Sequence, residues 1–527
     1  MRRILVGADV ALVILMCFGF GSLSYLGYRG YDDFHYVYAA LTLLETGQPV
    51  VTDHWSIRFP HVFALFTSLK SFGVSEWALT VPPFIGYICS AVATYFGVRH
   101  FWQRGYGLLA AGLFASTSLF AVLSNVPFVL FTQLTLIVVG FWLLIWANES
   151  NRLWLNLVAG IPIGLAILAH LTSAAVVIST TIIALLIYKN WRAWLLCALG
   201  AAAIGLADMS YFSVTQGEPL YRIKIASNHA TITKHNFGNE NKLTTKTKKV
   251  VSELKPVSSK SFFKFMTDDA RYWEHVPVNV HWIVNPYIVF LLHYDLAIYS
   301  LAFIVILLLT ASAQTSPFSA AQKRVLLALL TTAVVWLICA NYIFSIRPHP
   351  RYFGPVAYAI AIALAVYGAR LWQQGAPWLR HVVVVMGVGA VVMNVLLIDM
   401  RESNHTEHRH LSAYMADNPT AQIVVPEGFQ ARLFDRIYGI DATNLLLPEQ
   451  ATSSALWLVT NNYPLVKPFS DSCEQWASES RITIIGRILQ LLGIDALVPE
   501  HIRRKFISPE QTIRLVRSCD QTMEVSP

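Results

Sequence analysis

Gly30-Tyr31-Asp32-Asp33-Phe34-His35-Tyr36 follows, within a few residues, an apolar run from about Ile4 to Leu26. That juxtaposition decides how the chain is read. The run can cross a hydrocarbon core as a helix, which takes roughly 20 apolar residues. The carboxylate pair then sits at the membrane surface, on the side to which the first span delivers it. Ionisable groups are costly inside a bilayer, and those that lie next to one tend to mark function. Arg2-Arg3 ahead of the run imitate a secretory signal. The run is too long for one and has no small-x-small cleavage pattern at its end, so it reads as a retained span.

Working outward, runs of similar length recur to about residue 400. The 527 residues are 55% apolar and 13% charged, against about 25% charged in soluble domains. Eleven spans are expected, at 4–27, 79–98, 106–124, 127–147, 154–170, 172–188, 193–213, 287–310, 325–346, 352–370 and 380–400. The chain is therefore expected to be a polytopic α-helical membrane protein. Short loops holding Arg2, Arg3, Arg99, Arg104, Arg152, Lys189, Arg192, Lys323, Arg324, Arg370 and Arg380 fall on one side, which the positive-inside rule makes cytoplasmic. The N-terminus is then cytoplasmic in an inner (plasma) membrane. Asp32-Asp33, the outer loops 28–78 and 214–286 and the tail 401–527 are then extracytoplasmic. The division is a membrane domain, 1–400, and a small α/β domain, 401–527. In the tail, strand-like runs at 422–425 and 455–460 flank a helical pattern over Gly428–Tyr438.

The first outer loop carries two amphipathic patterns. One runs from Phe34 through Val37, Tyr38, Leu41 and Leu44 to Gly47. The other runs from Pro60 to Phe72 and stops at Gly73. Their spacing predicts helices lying in the interface plane. An Asp pair before a helix is also a good cap for it, although one Asp would suffice. The Lys-rich segment 214–286 reads as a solvated loop, or as a lid over an anionic substrate. Between the ninth and tenth expected spans, Arg347-Pro348-His349-Pro350-Arg351-Tyr352 places two arginines in a short outside turn, against the charge rule. Guanidinium groups grip phosphate in a bidentate way, whether of a substrate or of lipid head groups.

Cys17, Cys89, Cys197 and Cys339 lie in expected spans as core residues, and Cys473 and Cys519 in the tail could form a disulfide. His405 and His408 could share a helix face, but no motif requires a metal or any other cofactor. The net charge of +8 comes without the aromatic–basic interleaving of a nucleic-acid binder.

Four stretches in order resemble the GT-C glycosyltransferases, in the branch of protein O-mannosyltransferases and lipid A aminoarabinose transferases (glycosyltransferase family 39-like). They are Tyr31-Asp32-Asp33-Phe34-His35-Tyr36 with Leu43-Leu44-Glu45-Thr46-Gly47; Arg58-Phe59-Pro60 with Phe72–Leu79; Gly217-Glu218-Pro219-Leu220-Tyr221; and Pro350-Arg351-Tyr352-Phe353-Gly354-Pro355. Arg58-Phe59-Pro60 departs from the family's Lys-Pro-Pro, and Ser124-Asn125-Val126-Pro127 lacks the acidic residue often found there. The resemblance covers about residues 1–400. It implies a GT-C fold and a sugar donor on polyprenyl phosphate. It also implies inverting transfer to a glycan, lipid or protein acceptor on the extracytoplasmic face. Asp32 would be the base, supported by Asp33. Arg58, Arg347 and Arg351 would hold the donor phosphate, and Tyr31, His35, His54, His170 and Tyr352 would shape the pocket. Membrane lipid is the other expected partner. A lipid or glycan transporter (or flippase), or a non-catalytic assembly protein on the same scaffold, are the alternatives. A transporter would show internal repeats and mid-membrane charges, and an assembly protein would have lost the acidic pair.

Overall fold

In a bilayer every backbone N–H and C=O needs an internal partner, so the apolar runs fold as helices. The computed structural model describes residues 2–30, 32–51, 53–227, 294–312, 317–340, 350–402, 407–425, 433–452, 454–460, 472–478, 482–494, 497–498 and 513–518. The helices are α1 (Arg2–Ser22), α2 (Asp32–Thr46), α3 (Phe59–Phe72), α4 (Glu76–Phe101), α5 (Arg104–Ser116), α6 (Ser118–Leu123), α7 (Leu130–Glu149), α8 (Trp154–Ala169), α9 (Ala174–Ile182), α10 (Trp191–Gln216) and α11 (Tyr221–Ser227). After the Lys-rich segment come α12 (Tyr294–Ser312), α13 (Ala320–Ile338), α14 (Gly354–Gln374) and α15 (Pro377–Glu402). Among the described residues, six helices are long and apolar enough to cross a membrane, and four shorter apolar ones lie at Val6–Ser22, Trp154–Ala169, Leu171–Ile187 and Leu296–Ala311. Each falls on an expected span.

The expected span 106–124 differs: it breaks at Thr117, whose backbone is extended (φ −63°, ψ 120°). The break stays satisfied inside the bundle because the Ser118 N–H donates to Oδ1 of Asn394 on α15 at 2.9 Å. The α8–α10 packing depends on small residues, as is common between membrane helices. A Cβ at Gly160 would come within 2.1 Å of the Cys197 carbonyl. At the opposite end from α2, buried Asp9 of α1 pairs with Arg104 at 2.6 Å and Arg99 at 3.5 Å, tying α1 to α4 and α5.

The two interfacial helices form as expected. Gly47 and Gly73 follow them at φ 68° and 81°, a backbone that side-chain-bearing residues rarely adopt. Buried Tyr36, Val37, Leu41, Val62, Leu65 and Leu69 pack α2 and α3 together and onto Ala78 and Leu79 of α4.

The tail is α/β. Helices α16 (Glu407–Asp417), α17 (Phe434–Tyr438) and α18 (Ile484–Leu491) accompany strands β1 (Ile423–Val424), β2 (Leu445–Leu446), β3 (Leu456–Thr460), β4 (Ser472–Ala477) and β5 (Ile513–Ser518). The sheet order is β2-β1-β3-β5-β4. β1 runs parallel to β2 and β3, while β5 runs antiparallel to β3 and β4. Leu411, Met415, Phe434, Leu458 and Leu515 form its core. The helical pattern from Gly428 is helix only over Phe434–Tyr438, with 428–432 outside the described residues. Cys473 is disulfide-bonded, while Cys519 lies outside the described residues. Cys17, Cys197 and Cys339 are buried and free as expected, but Cys89 is exposed on the bundle surface rather than in its core.

Candidate active site

Helix α2 begins at Asp32, so both carboxylates stand in its first turn. Their surroundings separate them. Asp33 is fully buried and accepts the Arg29 N–H at 2.6 Å, which anchors the chain entering the helix. Asp32 lines a cavity of about 510 Å³ and pairs with Arg351 at 2.8 Å. Asp33, expected to orient Asp32 or the acceptor, is not among the cavity's lining residues.

The cavity lies where α2, the Asp53–Arg58 segment, the start of α7, the α8–α9 corner, α11 and Arg351-Tyr352 converge. Arg58 stands at the N-terminus of α3 with Pro60 in the first turn, where helix amides and dipole favour an anion. Its guanidinium donates to the Tyr36 hydroxyl and lies 5.4 Å from that ring's centre. Arg351 donates to the Tyr352 hydroxyl at 3.2 Å and packs over Phe128 and Tyr352.

His170 ends α8. Its Nδ1 accepts from the Thr172 N–H at 3.3 Å and meets the Thr172 hydroxyl at 2.7 Å, and Gln133 Nε2 donates to that hydroxyl at 2.9 Å. Burial first, then the positive charges of Arg58 and Arg351, push its pKa well below the usual histidine value. The ring is therefore neutral with its proton on Nε2, a hydrogen-bond donor lining the cavity.

His54 and Tyr352 also line the cavity, but His35 does not. His35 stacks on Trp55 at 4.0 Å and meets Asp53 at 3.0 Å. Asp53 also accepts the Trp55 and Ser56 amides, at 2.9 and 2.7 Å. Burial opposes ionisation of Asp53 and is outweighed by the hydrogen bonds from His35 and Ser56, so its pKa is lowered. His35 thus shapes the loop before Arg58 rather than the cavity wall. Tyr31 and Arg347 lie outside the described residues, as does His405. Among the described residues, no three His, Cys, Asp or Glu side chains come together to hold a metal ion.

The sequence reading missed Arg222, the third cation of the wall. It is buried and chelates Asp208 of α10 through Nε at 2.7 Å and Nη2 at 2.6 Å. Its Nη1 donates to the carbonyls of Ile57 and, at 3.2 Å, Leu168. Arg222 thereby fixes the backbone beside Arg58. Position 222 directly follows the quoted Gly217–Tyr221 element, but only the tertiary pairing reveals its part.

A helical membrane bundle with interfacial helices covering a charged cavity at one end, followed by a small α/β domain, has the architecture of the GT-C glycosyltransferases. Residues 56–214 match the family described as dolichyl-phosphate-mannose-protein mannosyltransferase. The chain is similar to ArnT from Cupriavidus metallidurans bound to undecaprenyl phosphate: TM-score 0.50 and 13% identity over 88% of this chain and 94% of that one. The Archaeoglobus fulgidus oligosaccharyltransferase, in complex with Zn and sulfate, aligns with TM-score 0.48 and 15% identity over 88% of this chain and 59% of that one. The chain thus spans about three fifths of the archaeal protein. No curated protein sequence matches it. The motif resemblance to GT-C glycosyltransferases is borne out by the family match and the ArnT fold.

Proposed function

We propose that this chain is a glycosyltransferase of the inner membrane that moves a sugar from polyprenyl phosphate to an acceptor hydroxyl on the extracytoplasmic face, with inversion. The observation that carries this reading is the pairing of Asp32 with Arg351 at 2.8 Å in one cavity with Arg58. A base and phosphate-binding cations are the two halves such a transfer needs.

The acceptor oxygen attacks the anomeric carbon as the bond from that carbon to the phosphate oxygen breaks. The acceptor proton passes to Asp32, and the electron pair leaves with polyprenyl phosphate. The phosphate goes from one negative charge to two, and fixed guanidinium groups stabilise charge that develops in this way. Arg58 and Arg351 are assigned to it, with neutral His170 as a hydrogen-bond donor nearby. While Arg351 holds Asp32, the base is engaged. A donor phosphate that takes over Arg351 frees the carboxylate, so donor binding precedes activation of the acceptor. The acceptor class — glycan, lipid or protein — is left to the assay.

The test uses purified protein in liposomes with a panel of radiolabelled polyprenyl-phosphate sugars and an envelope extract as acceptor. The expected result is protein-dependent transfer of at least one sugar, with release of polyprenyl phosphate. Flipping of the lipid across the bilayer without cleavage would favour a transporter and overturn the proposal.

A further inference from the structure

We propose that α18 is a membrane-interface helix that seats the C-terminal domain on the lipid surface. Its sequence Ile484-Ile485-Gly486-Arg487-Ile488-Leu489-Gln490-Leu491 is two-sided. Ile484, Ile488, Leu491 and Leu492 stand at the i, i+4, i+7, i+8 spacing of one helical face. That face is exposed: Leu491 is 87% exposed, Leu492 64%, Ile488 43% and Ile484 40%. The side holding Gly486 is buried instead. Past the helix, Ile494 and Leu497 are also exposed, the latter 81%. A water-facing domain surface does not normally carry so large a contiguous apolar strip.

The occupant is set by where the helix is anchored. The Thr483 side chain caps its N-terminus by accepting the Gly486 N–H. The Ile484 N–H donates to Asp399 Oδ2 at 2.7 Å. Asp399 lies three residues before the end of α15 at Glu402, about 5 Å along the axis at a rise of about 1.5 Å per residue. The start of α18 is thus fixed at the depth where the last spanning helix leaves the membrane. Val385, Val388 and Val392 of α15, 50–70% exposed, form the apolar flank that lipid covers below that point. The exposed face of α18 continues this flank at the surface, and exposed Arg487 beside it is placed to meet lipid phosphates. Such a helix lies along the interface with its apolar face among the acyl chains.

The inference is independent of the transferase reading. The test uses full-length protein in nanodiscs of phosphatidylcholine and phosphatidylglycerol, one copy per disc, on a Cys89→Ser background. A nitroxide is attached at Leu491→Cys or, as a control on the polar side, Gln490→Cys. Collision of each label with oxygen, which concentrates in lipid, is compared with collision with a water-soluble nickel chelate. The expected oxygen-to-nickel ratio at 491 is several-fold above that at 490. Equal, water-like ratios at both sites would overturn the proposal. So would a label at 491 that both reagents reach but that becomes shielded only when discs hold two copies or an added protein partner, since the face would then serve a protein contact.

Discussion

At the residue scale, the Asp32-Asp33 pair resolves two readings that sequence leaves open. One carboxylate anchors the helix start and the other faces the cavity. Asp32→Asn keeps the shape and removes the proposed base. General base catalysis is typically worth about 10²- to 10⁴-fold, so transfer rate should fall by that order while thermal stability holds. Asp33→Ala should do the reverse first. Leaving the half-buried Arg29 N–H without its acceptor costs about 1 kcal/mol or more, read as a lower melting temperature in detergent. Two histidines add a pH signature. His61 on α3 meets the Thr132 hydroxyl and the Pro127 carbonyl at 2.9 and 3.0 Å. Burial first, and the Arg58 charge after it, lower its pKa to about 4. His408 is lowered to about 3 by burial and then by Arg29. Both stay neutral in the fold but take up protons in the unfolded chain below about 6.5. The unfolded state therefore binds more protons in that window. The stability is present above about 6.5 and is lost as pH falls towards 4. Melting temperature should decline on that acid side, and less so in His61→Gln. A melting temperature that stayed flat down to pH 4 would remove the two buried neutral rings from the account.

At the element scale, what is encoded locally is legible in the sequence. Helices α2 and α3 show in the spacing of Val37, Leu41, Val62 and Leu65 because an interfacial helix has one dry face and one wet one. Gly47 and Gly73 mark their ends because the backbone there needs a positive φ. The break at Thr117 was not legible. Its Ser118 amide is satisfied by Asn394, nearly three hundred residues away, and no local pattern announces such a partner. The same holds for α11, which docks through the Arg222–Asp208 pair, both side chains 7% exposed. Breaking a buried pair costs about 3–5 kcal/mol because one charge is left uncompensated. Arg222→Met should therefore destabilise the protein by that order and loosen the Ile57–Arg58 backbone. The double change Arg222→Met with Asp208→Leu should recover most of the stability but not the affinity for a lipid phosphate. Thermal melts and phosphate-lipid titrations on both variants check this. Recovery of both would mean that Arg222 does nothing for Arg58.

At the scale of the whole molecule, the C-terminal domain touches the membrane domain beside the segment that leads into α2. Glu76 at the start of α4 accepts the Tyr28 N–H at 3.1 Å and the Tyr438 hydroxyl at 3.2 Å, and it pairs with Arg409 at 3.5 Å. Tyr28 lies just before Asp32, so one carboxylate joins the domain to the chain that delivers the proposed base. Sequence separates Glu76 from Arg409 and Tyr438 by more than three hundred residues. The α/β character of the tail was therefore legible, while its docking was not. Glu76→Ala should lower transfer turnover with little change in apparent donor affinity, since it touches no residue assigned to the phosphate. Steady-state rates at varied donor concentration separate the two effects. The central claim is that the Asp32–Arg351 cavity carries out sugar transfer. It is tested most directly by comparing wild type with Asp32→Asn in liposomes loaded with the active polyprenyl-phosphate sugar. The account predicts that Asp32→Asn still binds the lipid but transfers at least about 10²-fold more slowly. Equal transfer rates in the two proteins would contradict it.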